Sequence, residues 1–118
     1  MNREPDASGA AVRRFKDPAY VPLCATLDDV RAQIDGLDRQ IVGLLAQRGR
    51  YVKDAARFKR DAFQVSAPVR QQQVLDKVRA LAAEHGAYPE VVESAYRALI
   101  AGFIAREQRD FDDMEDVA

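Results

Sequence analysis

The sequence predicts an all-α chain of three helices, the first much the longest, paired with a second copy as an intertwined homodimer. Three observations lead there. Apolar residues recur at alternating steps of three and four through the first half of the chain. Pro68, Gly86 and Pro89 fall where helices start and stop. No segment alternates apolar and polar residues for long enough to make a strand.

Residues 1–22, "MNREPDASGAAVRRFKDPAYVP", are polar and contain three prolines, which reads as a flexible arm with a solvated basic "RRFK". The folded region is expected over residues 23–112. Thr26 suits an N-cap, and Asp28 and Asp29 place negative charge at the positive end of the helix dipole. Leu27, Val30, Ile34, Leu37, Ile41 and Leu44 then form a heptad stripe. Its continuation meets Arg48, Tyr51, Ala55 and Phe58. Gly36, Gly43 and Gly49 each weaken this helix by about 1 kcal/mol relative to Ala, and the stripe is strong enough to carry it through them.

"FQVSAPVR" interrupts the pattern, so a loop is expected around residues 60–67. Pro68 fits a first helical turn, with Ser66 or Ala67 at the cap. The second helix carries Val74, Leu75, Val78, Leu81 and Ala82 and stops at Gly86. Pro89 opens the third, whose apolar face holds Val92, Ala95, Tyr96, Leu99, Ile100, Phe103 and Ile104. An acidic tail follows over residues 113–118.

Size argues for the dimer. Leu27 to Phe58 as one helix is about 48 Å long at 1.5 Å per residue. A compact chain of this length is only about 35 Å across. The stripe therefore needs a partner to cover it, and a second copy is the simplest.

Composition narrows the function. A chain of 118 residues suits one domain, and 47% hydrophobic residues allow a small core. A formal net charge of −1 excludes bulk binding to nucleic acid or an anionic membrane. Cys24 is the single cysteine and His85 the single histidine, so neither an intrachain disulfide nor a zinc site of Cys/His type is available. No metal or cofactor is expected. The sequence shows no apolar run of transmembrane length and no signal-peptide core, which points to the cytoplasm.

Charges on apolar faces are the candidate chemistry. Arg48 occupies a stripe position, and Lys59, eleven residues on, falls within about 20° of the same azimuth and about 16 Å along the axis if the helix continues. Two such side chains can grip a small anion, or can pack their stems and extend their charges to water. Glu107 falls within the apolar arc of the third helix, while Gln108 falls about 100° outside it. A carboxyl on an apolar face needs a partner or a proton. It either pairs with Arg48 or Lys59, or stays neutral as a hydrogen-bond donor. Arg31 lies about 25 Å from Arg48 along the helix and off its face, so it cannot serve Arg48 within one chain. In an antiparallel dimer the partner's copy can. Cys24 and His85 are not a nucleophile and base, with Cys24 in the lead-in and His85 beside a helix end. The pattern describes an apolar pocket with several cations, suited to a compact polycarboxylate and to a reaction needing no nucleophile.

"LDDVRAQIDGLDRQIVGLLAQR" followed by "YVKDAARFK" resembles the all-helical chorismate mutases of the intertwined-dimer class over about residues 26–111. The order of Arg31, Arg48 and Lys59 matches that family's first-helix motif. The resemblance implies a pericyclic enzyme acting on chorismate or isochorismate. It implies that Arg31 reaches a substrate carboxylate from the partner subunit. Arg48 would bind the other carboxylate region, and Lys59 the ether oxygen and a carboxylate. Arg70 would support the site. Glu107 takes the place of a family glutamine or glutamate that hydrogen-bonds the ether oxygen, with Gln108 the alternative if the register slips by one. The site would hold the enolpyruvyl side chain folded over the ring, while cations stabilise charge on the breaking ether oxygen.

The sequence also departs from that pattern. Ala67 and Gln71 stand where many mutases have an aspartate and a glutamate for the ring hydroxyl, and Phe103 replaces a serine. "ARFK" and "APVR" resemble more closely the isochorismate pyruvate lyase branch, which yields salicylate and pyruvate. Gln71 can still bind a hydroxyl. The expected activity is chorismate mutase, with isochorismate pyruvate lyase carrying side mutase activity as the alternative. A non-catalytic helical dimerisation module is the reading from a different class.

Overall fold

The structure is a computed structural model and describes residues 3–117. Among these residues it is helical: α1 (Leu27–Ala55), a 3₁₀ turn (Ala56–Phe58), α2 (Ala62–Ser66), α3 (Pro68–Glu84) and α4 (Pro89–Asp112). The three expected helices are α1, α3 and α4. The described residues form no strand, only an isolated bridge between Ala10 and Thr26. The chain divides into two compact units, Met1–Ala46 and Gln47–Ala118, and α1 runs across the division.

In the first unit, Thr26 caps α1 as its sequence suggests, its hydroxyl accepting from the Asp29 N–H at 3.2 Å. The Asp28 N–H, another orphan donor of the first turn, reaches the carbonyl of Ala7 at 2.9 Å. The heptad stripe is bare: Ile34, Leu37, Ile41 and Leu44 are each at least half exposed, and α1 buries no residue at all.

The second unit holds the core. Leu75, Val78 and Ala82 of α3 are buried with Ile100 of α4, and Ala56 and Val65 complete the packing. Helix ends follow local chemistry. Pro68 and Pro89 stand in the first turns of α3 and α4. Gly86 has φ 69°, and the Ala87 and Gly86 N–H groups return to the carbonyls of Ala82 and Ala83, a Schellman ending for α3.

Two expectations need correction. The first helix ends at Ala55, three residues before Phe58, and a 3₁₀ turn follows that buries Ala56 and leaves Phe58 exposed. Lys59 is thus not on the helix. It caps the turn in extended conformation, φ −104° and ψ 145°. The segment expected as a loop contains α2. Asp61 caps it by accepting from the Gln64 N–H at 2.9 Å, and the Gln64 side chain accepts from the Arg60 N–H at 2.7 Å. This is a close variant of the capping box, and five residues of helix follow from it.

Candidate active site

The second unit holds a cavity of about 310 Å³ that is partly open to solvent. That is near the lower end for small-molecule sites. The last turns of α1 contribute Arg48, Tyr51, Val52 and Ala55. Lys59 enters from the cap of the 3₁₀ turn, and Arg70, Gln71 and Val74 from α3. From α4 come Ile100, Phe103, Ile104 and Glu107, spaced so that one helical face supplies all four. Val65, Ser66 and Ala67 close one side.

Five of the residues singled out from sequence therefore line one cavity: Arg48, Lys59, Arg70, Gln71 and Glu107. Lys59 is there although the helix that was to carry it ends early. Arg31 does not line this cavity; it is exposed on α1 in the first unit. Gln108 turns aside and donates its amide to the Ala62 carbonyl at 2.9 Å. Glu107, not Gln108, thus faces the cavity.

The two central cations are held in different ways. Lys59 Nζ donates to Glu107 Oε2 at 3.0 Å, with the lysine side chain 22% and the glutamate 5% exposed. This is the ion-pair reading of Glu107, with Lys59 as the partner. Among the described residues Arg48 has no carboxylate partner. Its guanidinium carbon lies 5.2 Å from the ring centroid of Phe103 and 5.9 Å from that of Tyr96. Its Nη1 is buried without a hydrogen-bond partner. A buried N–H donor left unmet is costly. It is also a donor able to meet a carboxylate oxygen.

The α2–α3 junction shapes the wall opposite. Ala67 adopts the left-handed region, φ 45° and ψ 60°, just before Pro68. For a residue with a Cβ this costs about 1 kcal/mol. Proline disfavours the right-handed helical conformation in the residue before it, which removes the cheaper alternative. The Gln71 amide donates to the Ser66 carbonyl at 2.6 Å and fixes the turn.

The charge balance follows from these residues. Arg48, Lys59 and Arg70 face one carboxylate, Glu107, so the cavity carries an excess of positive charge. Its remaining lining is mostly apolar, which strengthens electrostatic contacts within it. His85 caps the end of α3, and Cys24 lies in the first unit. Among the described residues no group of His, Cys, Asp and Glu is arranged to hold a metal ion. Sequence reasoning missed Val65 and Ser66 because it read their segment as a loop. The "DAFQ" capping signal could have revealed the helix that places Val65.

Comparison with known proteins places this arrangement in a family. Residues 30–108 match the family described as chorismate mutase type II. The isochorismate pyruvate lyase of Pseudomonas aeruginosa is 36% identical over 84 residues, covering 71% of this chain and 83% of that protein. The chorismate mutase of Methanocaldococcus jannaschii is 29% identical over 75 residues, covering 63% of this chain and 76% of that protein. The matched stretch takes in α3, nearly all of α1 and α4, and every residue that lines the cavity, and the chain belongs to the chorismate mutase type II family.

Proposed function

We propose that the chain catalyses the pericyclic rearrangement of chorismate to prephenate. The observation that carries this is Arg48, a guanidinium with a buried, unmet N–H in a cavity where three cations face one carboxylate. Such a site has an open demand for a carboxylate. Chorismate carries two. Arg48 takes one, while Lys59 points its ammonium at the ether oxygen that gains negative charge as its bond to the ring breaks. Glu107 holds that ammonium in place through their ion pair. The apolar walls confine the enolpyruvyl group above the ring, so the reacting carbons stay within bonding reach. No nucleophile is needed.

In this reading the enzyme is a homodimer of the cytoplasm. The bare stripe of α1 supports the dimer, because an apolar row of that length in water is unfavourable. The partner's copy of Arg31 meets the second carboxylate. Arg70 adds positive charge, and Gln71 serves the ring hydroxyl. No helix among the described residues is long and apolar enough to cross a membrane.

A second reading is isochorismate pyruvate lyase, giving salicylate and pyruvate, with mutase activity in the same cavity. Ala67 and Gln71 favour it, since the cavity offers no carboxylate beyond Glu107 to read a ring hydroxyl. The relative from Pseudomonas aeruginosa that bears this name supports it too.

The test supplies purified protein with chorismate and isochorismate separately and follows prephenate, salicylate and pyruvate, with Lys59→Ala as the control. Efficient prephenate formation identifies a mutase. Salicylate and pyruvate from isochorismate identify a lyase. Turnover of neither above the Lys59→Ala level removes the enzymatic reading and leaves a helical dimerisation module.

A further inference from the structure

The Arg48 guanidinium lies against two aromatic rings. Phe103 and Tyr96 stand seven residues apart on α4, two turns along one face. Their ring centroids lie 5.2 and 5.9 Å from the Arg48 guanidinium carbon. Beside Arg48, Gly49 leaves room for the nearer ring. A Cβ built at position 49 would stand 2.9 Å from Cε1 of Phe103, too close for any real contact. Gly49 thus leaves the space that the Phe103 ring occupies.

Resting on the reading above, we infer that Gly49, Phe103 and Tyr96 form a cradle that positions Arg48 and keeps it unpaired for the substrate carboxylate. The chemistry of the support explains why. A carboxylate beside Arg48 would occupy its N–H groups and compete with the substrate. A ring attracts the cation through its π face and accepts none of the in-plane donors. The guanidinium fork stays free for bidentate binding. Lys59 in the same cavity shows the contrast, with its charge already engaged by Glu107. Phe103 is thereby a positioning residue, acting through Arg48 rather than on the reacting atoms.

The test substitutes Phe103→Leu, which keeps apolar bulk and removes the π face, alongside Phe103→Tyr, which keeps the face. Loss of a cation–π contact predicts a rise in substrate KM of about three- to thirty-fold for Phe103→Leu. Since Arg48 grips the carboxylate before and during the reaction, kcat changes little. Phe103→Tyr restores KM. Gly49→Ala raises KM in the same way by displacing the ring. In an Arg48→Met background, Phe103→Leu has no further effect if the cradle acts through Arg48. A fall in kcat and melting temperature with KM unchanged, or additive losses in the double variant, overturns the inference. A spectroscopic readout separates it from the assigned reaction. The Arg48 Nε–H resonance should be shifted upfield by the rings in the native protein and return to the ordinary arginine position in Phe103→Leu. An ordinary position in the native protein overturns the cradle. An upfield resonance in a protein that converts neither substrate supports the cradle and removes only the assigned reaction.

Discussion

Lys59 and Glu107 are 48 residues apart in the chain and meet at 3.0 Å on the wall of the cavity. The pair explains the geometry of both ends. The 3₁₀ turn after α1 releases Lys59 into extended backbone, and its side chain reaches a carboxylate that the apolar face of α4 would otherwise leave unpartnered. The same contact aims the ammonium into the cavity.

Removing the lysine separates its structural role from its chemical one. Lys59→Ala leaves the Glu107 carboxylate buried without a partner, at a cost of about 3 kcal/mol in stability. It should also lower kcat by about 10²- to 10³-fold, the usual effect of deleting a group that stabilises an oxyanion. Adding Glu107→Gln removes the stranded charge. The double variant should recover much of the melting temperature and none of the rate. Recovery of both would make the lysine a structural residue.

Where one residue type settles a local conformation, the sequence was legible. Thr26, Pro68, Gly86 and Pro89 set helix ends by capping, by a missing N–H or by positive φ, and each stands where local chemistry requires. Helical phase alone distinguished Glu107 from Gln108. The end of α1 was not legible, because "DAARFK" carries no local stop signal. There the outcome depends on tertiary contacts: Ala56 is buried and Lys59 pairs with a distant carboxylate. Helical phase aligns Lys59 with Arg48 only on a continuous helix, whereas α1 ends at Ala55 and the extended backbone after the 3₁₀ turn carries Lys59 to the cavity. The aromatic support of Arg48 was hidden for a related reason. Tyr96 and Phe103 read as core residues, and periodicity does not say what a ring faces.

A surface ion triad ties α3 to α4. Glu93 accepts from Arg79 at 2.8 Å and from Arg97 at 3.1 Å. The hydrogen bond from Arg79, then that from Arg97, hold the Glu93 carboxyl below the usual range. A carboxyl with a depressed folded-state pKa adds stability that is present above its unfolded value and lost as pH falls through the folded one. Glu93→Gln should therefore melt slightly lower than the native protein at neutral pH. The gap should close below about pH 4 and shrink in high salt. Melting curves across pH and ionic strength test this, and a gap that persists in acid would assign the effect to packing.

Arg31 tests the dimer and the site together. It is exposed on the helix whose apolar stripe is bare, and it does not line the cavity that holds Arg48. If its partner copy completes the site, Arg31→Ala and Arg48→Ala should each abolish most activity while leaving the dimer intact in sedimentation. Unfolded and refolded together in equal amounts, the two inactive proteins would form mixed dimers. In each of these, one site carries both substitutions and the other carries neither. A statistical mixture would then recover about a quarter of native activity. Monomers in sedimentation would remove the dimer. Dimers without recovery on mixing would place Arg31 outside the partner's site, and the second carboxylate would then need another cation, for which Arg70 stands on the cavity wall.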